Sequence, residues 1–177
     1  MPELVQLFRV FVAAPSDVGE EHEVIRGQIE QWNRDHGSYS QARVEFTNWR
    51  THSHPAAGSR PQALINQQVV DKSDIVVGIF NARFGSPTGV ADSGTEEEIR
   101  RSIKQGKMVM VYFADLPLPR RRKERHEFAR VEKFKRKLGS NALYHTYTDL
   151  KAFEETFRQH LAGAMNDLLA KLKTKLK

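Results

Sequence analysis

Residues 74–114 read DIVVGIFNARFGSPTGVADSGTEEEIRRSIKQGKMVMVYFA, and the fold turns on this stretch. It opens and closes on near-continuously apolar runs, 74–80 and 108–114, rich in β-branched and aromatic residues. Runs of that kind suit the central strands of a parallel sheet, where both faces are covered. Between them lies a loop rich in glycine, proline, serine and aspartate. A helical pattern with Ile99 and Ile103 on its apolar side follows. Strand, loop, helix and strand in succession make one parallel crossover unit.

Working outward, the same alternation recurs. Strand-like runs occupy 7–14 (LFRVFVAA), 42–48 (ARVEFTN) and 142–147 (ALYHTY). The second alternates, with Val44 and Phe46 on one side, and suits an edge. Apolar stripes at helical spacing run through Val24, Ile25, Ile29 and Trp32, then Leu64, Ile65 and Val69. Two more follow: Phe128, Val131, Phe134 and Leu138, and a long one from Leu150 to Leu172. Five strands alternating with helices predict a flavodoxin-like three-layer α/β sandwich, its five-stranded parallel sheet in the order 2-1-3-4-5. Residues 1–177 are read as a single domain, with 173–177 a frayed helix end.

Ligands of open α/β sheets bind outside the carboxyl ends of the strands, where the strand order reverses. Here that crevice falls between the loops after strands one and three, 14–18 (APSDV) and 81–95 (NARFGSPTGVADSGT). Ala14, Ser16 and Asp17 are therefore candidate lining residues. Asp17 with Glu20 also matches a helix-capping pair, the competing explanation. The second loop is long enough to point to function rather than plain connection.

Glu96, Glu97 and Glu98 open the helix beside that crevice. Capping accounts for one or two of them, since Ser93-x-x-Glu96 and Thr95-x-x-Glu98 both fit a capping box. Three adjacent carboxylates exceed what capping needs, and their mutual repulsion tends to raise a pKa. Helical geometry alone does not choose which one does chemistry.

The chain has no cysteine, which excludes a disulfide scaffold, a thiol nucleophile and a thiolate metal site. His52-x-His54 has no third ligand at suitable spacing, so no metal is expected. Neither a nucleophile elbow nor a phosphate-cradling glycine loop occurs. No run approaches the ~20 apolar residues of a membrane span, and the N-terminus reads as a strand rather than a signal peptide. No membrane association and a cytoplasmic setting are expected. The net charge is +6, and residues 120–137 hold ten Lys/Arg against three Asp/Glu, or +7, leaving 18 minus 19, or −1, elsewhere. That segment carries Phe128 and Phe134 on an apolar stripe, so a surface helix is favoured over a nucleic-acid patch.

The segments DIVVGIFNARFGSPTG (74–89), SGTEEEIRRSIKQGKMVMVYF (93–113) and RVFVAAPSDVGEEHEVI (9–25) together resemble TIR-like (Toll/interleukin-1 receptor-like) domains of bacterial and animal signalling and defence proteins. Asp92-x-Gly94-x-x-x-Glu98-Ile99, followed by Gln105-Gly106-Lys107, is also similar to the active-site segment of nucleoside 2-deoxyribosyltransferases. The resemblance spans roughly residues 7–150. It implies that Glu98 attacks or stabilises the anomeric carbon of a ribosyl group, and that Asp92 holds the sugar hydroxyls. The implied substrate is NAD, consumed rather than kept as a cofactor, with nicotinamide leaving as a neutral group that needs no strong general acid. Phe80, Arg83, Phe84 and Gly85 fall where such domains contact ribose and base, although Phe84 could equally pack and Arg83 could pair with Asp92. Gly58 lies where they carry a loop that meets a neighbouring subunit.

The resemblance thus implies an NAD glycohydrolase acting as an antiviral or cell-death effector. It would form a homo-oligomer or filament on activation, with a sensor domain or partner subunit supplying the signal. The alternatives are a non-catalytic TIR-like interaction module and a nucleoside deoxyribosyltransferase or nucleotide N-glycosidase.

Overall fold

The computed structural model describes residues 4–117, 119–140 and 142–175. Residues 176 and 177 of the expected frayed end lie outside them. The strands are β1 (Gln6–Ala13), β2 (Ala42–Thr47), β3 (Ile75–Phe80), β4 (Met108–Ala114) and β5 (His145–Tyr147). The helices are α1 (Glu20–Ser40), α2 (Trp49–His52), α3 (Pro61–Gln68), α4 (Gly94–Lys104), α5 (Arg122–Gly139) and α6 (Leu150–Lys175), with a 3₁₀ turn at Val70–Lys72. Among the described residues the strands form one all-parallel sheet in the order β2-β1-β3-β4-β5. This is the flavodoxin-like order expected from the sequence.

The apolar run of β3 has a direct cause. Side chains alternate across a strand, so Ile75, Val77 and Ile79 enter one core layer while Val76 and Phe80 enter the other. The first layer is closed by Ile25, Ile29 and Trp32 of α1 and by Phe153, Phe157, Leu161 and Met165 of α6. Ile99 of α4 and Val131, Phe134 and Leu138 of α5 close the second. Each such side chain, fully buried, stabilises by roughly 1.5–3 kcal/mol. A glycine sits mid-strand at Gly78 because a Cβ there would come within 2.5 Å of Ile99 Cδ1. That close approach lets α4 lie flat on β3.

Three local departures from the sequence expectation stand out. Strand β5 covers only His145–Tyr147 rather than 142–147, and Leu143 and Tyr144 are exposed. In consequence β5 pairs with β4 only from Tyr112 onward, and Met108–Met110 are half-buried rather than sealed. Ile103 is exposed although it repeats Ile99 at helical spacing, because Ser102 and Glu98 occupy the inward side of α4 instead. Helix α2 had no apolar periodicity to announce it. It is a single turn capped by Asn48, whose side chain accepts the Thr51 N–H at 2.9 Å. Segment 120–137 lies mostly in α5, with Phe134 buried and Phe128 half-buried. No described helix is long and apolar enough to cross a membrane.

Candidate active site

The parallel sheet brings the loops after β1 and β3 together at one rim. Asp17 fastens them: its Oδ2 accepts the backbone N–H groups of Ala82 and Arg83, each at 3.0 Å. Asn81 Nδ2 donates to the Asp17 carbonyl at 3.2 Å. Arg83 then reaches back, donating from Nη1 to Ser16 Oγ at 3.2 Å. Asp17 Oδ1 is buried and has no hydrogen-bond partner among the described residues.

A cleft of about 760 Å³ opens over this junction. Ser16 and Asp17 line one side, Arg83, Gly85 and Ser86 another, and the start of α5 contributes Arg121, Lys123, Glu124, Glu127 and Arg130. Most of its acids are already engaged. Glu127 Oε2 accepts the N–H groups of Phe84 and Gly85 at 3.0 and 3.4 Å, and its Oε1 accepts from Arg130 at 2.7 Å. Arg130 also donates to the carbonyls of Gly85 and Asp92 at 3.0 and 2.5 Å. The 84–92 loop is thereby tied to α5. Arg121 pairs with Glu124 at 3.7 Å, and with Arg83 and Lys123 it gives the cleft a cationic rim suited to phosphate. Gly85 has φ +100° and lies close to Ser93, with 3.3 Å between the position a Cβ would take and Ser93 Cβ. The conformation and the crowding both call for glycine.

Through Gly85–Ser93 and Arg130–Asp92 the cleft wall adjoins the first turn of α4. Ser93 caps that turn, its Oγ accepting the Glu96 N–H at 3.1 Å, while Glu96 reaches back to the Asp92 N–H at 3.1 Å and pairs with Arg100 at 2.6 Å. Glu96 is thus the capping glutamate. Glu97 pairs with Arg60 at 2.7 and 3.1 Å, and accepts from Asn66 Nδ2 at 2.9 Å and from the Thr88 hydroxyl. The Arg60 hydrogen bonds hold its carboxyl below the usual carboxylate range.

Glu98 differs. All three glutamates are buried, at 4, 8 and 6% exposure, but among the described residues Glu98 has no cationic partner. Its Oε1 accepts one hydrogen bond, from Gln62 Nε2 of α3 at 2.9 Å. Burial, opposed by that hydrogen bond and reinforced by the charge of Glu97, pushes its carboxyl up to about 8. At neutral pH it is therefore a neutral acid in the free chain.

The expected site residues divide accordingly. Ser16, Asp17, Arg83 and Gly85 line the cleft, and Ala14 lines a smaller neighbouring cavity. Arg83 points to Ser16 rather than pairing with the Asp92 side chain, which is exposed. Phe80 and Phe84 are 0 and 2% exposed, and they stack on one another and against Phe134 inside the core. For Phe84 this is the packing role that the sequence also allowed; Phe80, expected at the ribose and base, is core as well. Glu98 faces α3 and is not among the residues lining the cleft. Gly58 is an exposed glycine with φ +103°. The sequence reading missed Arg60 and Gln62, which cover the glutamates. It also missed Arg121, Lys123, Glu127 and Arg130, which it treated as a solvated helix face. The basic start of α5 was the available signal.

The family profile described as "Domain of unknown function (DUF4062)" matches residues 9–162. No curated protein matches the chain. Among solved structures, translation elongation factor SelB from Methanococcus maripaludis, in its apo form, superposes with a TM-score of 0.54 at 11% identity. That match covers 92% of this chain but only 37% of the elongation factor. The TIR domains of the activated Roq1 resistosome, recognising the pathogen effector XopQ, superpose with a TM-score of 0.50 at 13% identity. There the match covers 89% of this chain and 99% of the other. At these identities the likeness is one of fold.

Proposed function

The chain belongs to the DUF4062 family, and from its resemblance to TIR-like domains and its rim chemistry we propose that it is a TIR-like N-glycosidase cleaving the nicotinamide–ribose bond of NAD. The observation that carries the reading is Glu98: a buried acid with a displaced pKa, on the helix whose first turn adjoins a cationic cleft. Perturbed acids beside a cleft at the strand-order reversal are the expected signature of a working site. In this account Arg83, Arg121 and Lys123 hold the phosphate of the nicotinamide half, and Ser16 adds a hydroxyl.

The chemistry follows from the charges. The nicotinamide ring of NAD is cationic, and the C1–N bond breaks to give neutral nicotinamide and a positive oxocarbenium-like centre. An adjacent cation favours the ionised form of a carboxyl. Glu98, poised near 8 when alone, is driven to its carboxylate by the substrate itself and then stabilises C1 as the bond breaks. Water completes the hydrolysis. Reaching C1 requires Gln62 to release Glu98, so α3 must give way when substrate binds. Assembly into an oligomer, in a defence or cell-death setting, is the proposed occasion for that release.

Following free nicotinamide by chromatography, with NAD and a high concentration of the chain, tests the cleft. Arg83→Ala is expected to raise KM about tenfold, the worth of one charge-assisted phosphate contact, with kcat little changed. An unaltered KM would remove the phosphate role. A non-catalytic interaction module is the second reading, and the sealing of Glu98 under Gln62 favours it. It predicts ordered assembly with no nicotinamide released.

A further inference from the structure

Beside the cleft lies a second cavity of about 350 Å³, at the carboxyl ends of β1 and β2. Val12 and Val18 contribute apolar lining, His22 and Arg26 come from α1, and Trp49 and Arg50 from α2. Pro15 and Ser16 line both cavities, so the loop after β1 is a saddle between them.

Three features of this cavity bear on what it can hold. His22 Nε2 is buried without a hydrogen-bond partner among the described residues, and an orphaned buried polar atom is costly to leave so. Trp49 is an exposed residue at the cavity wall, with the Arg50 guanidinium 5.5 Å from its ring centroid. Arg26 stacks over Phe46 at 4.5 Å and pairs at 3.8 Å with Glu23, which also lines the cavity. An aromatic face, two guanidinium groups against the one carboxylate of Glu23, and one unmatched ring nitrogen within a single small cavity suit a planar base carrying a phosphate.

We infer that this cavity is a second nucleoside-phosphate subsite, in which an aminopurine stacks on Trp49 and bonds His22 Nε2 while Arg26 and Arg50 take its phosphate. A dinucleotide then spans both cavities across Pro15 and Ser16, with its nicotinamide half in the larger one. A neutral imidazole nitrogen is a donor in one tautomer and an acceptor in the other; an aminopurine edge offers a partner to either. Burial, then the charge of Arg50, keeps His22 below its ordinary pKa, in agreement with a neutral ring. The inference rests on the NAD reading of the larger cleft and adds which half of the molecule goes where.

Calorimetric titration of the full chain with adenosine monophosphate, and separately with nicotinamide mononucleotide, tests it. Trp49 and Arg50 are surface residues, so Trp49→Ala and Arg50→Gln should fold normally. Each is expected to weaken adenosine monophosphate by about tenfold or more, as loss of a base stack or a phosphate contact does, and to leave nicotinamide mononucleotide unchanged. If adenosine monophosphate is unaffected by these changes but weakened by Arg83→Ala, the second subsite is overturned and the larger cleft survives. Absence of any adenosine monophosphate binding overturns it too. Should binding follow Trp49 while NAD is never cleaved, the subsite stands and the glycohydrolase reading falls.

Discussion

Glu98→Gln is expected to make the folded chain more stable at about pH 8–9 and to leave it unchanged near pH 4. The carboxyl of Glu98 titrates at about 8 in the folded chain and at 4.5 when unperturbed. Below the lower value both states hold the proton and folding is not penalised. Between the two, the unfolded chain releases a proton that the folded chain keeps, so stability falls as pH rises. Above the upper value both are ionised and the loss is complete. That interval of about 3.5 pH units corresponds to roughly 5 kcal/mol at most. Glutamine keeps the shape and still accepts from Gln62, yet carries no charge to desolvate. Urea unfolding of both proteins across this pH range reads the difference. A gain that grows with pH supports a buried, neutral acid. Equal stability at every pH would show Glu98 to be solvated. A residue that costs stability at its working pH is what a site kept for chemistry looks like.

Phe84→Ala is expected to cost about 3–5 kcal/mol of folding stability, a large share of the 5–15 kcal/mol typical of a domain. The Phe84 ring lies 5.5 Å from that of Phe80 and 5.6 Å from that of Phe134, with the Arg130 guanidinium 5.0 Å from its centroid. Truncation opens a cavity in the core layer shared by β3, α4 and α5. The unfolding midpoint in urea should drop sharply. A midpoint close to wild type, together with a raised KM for NAD, would return Phe84 to the base-stacking role.

What the sequence made legible, and what it did not, separates by range. The strands are legible because β3 must be apolar on both faces, and the period-two division between two core layers leaves a continuous run. Ser93 and Glu96 are legible as a cap because capping is a three-residue affair. The fate of Glu97 and Glu98 is not. It depends on Arg60 and Gln62, more than 30 residues away, and on a helix that covers them only after β3 has been placed beside β1. The start of α5 misled for a related reason. Arg130 and Glu127 look like a surface ion pair at helical spacing, and only the folded 84–92 loop shows what they hold. Ile103 shows the opposite limit: periodicity marks a face, but two turns of α4 do not meet the sheet equally.

The account's central claim is that the Glu98 carboxyl acts on the ribosyl carbon of NAD. Nicotinamide release by wild type and Glu98→Gln, compared at equal concentration of folded protein, tests it most directly. The predicted result is loss of release by about a hundredfold or more in a variant at least as stable as wild type. Release at the wild-type rate from folded Glu98→Gln contradicts it.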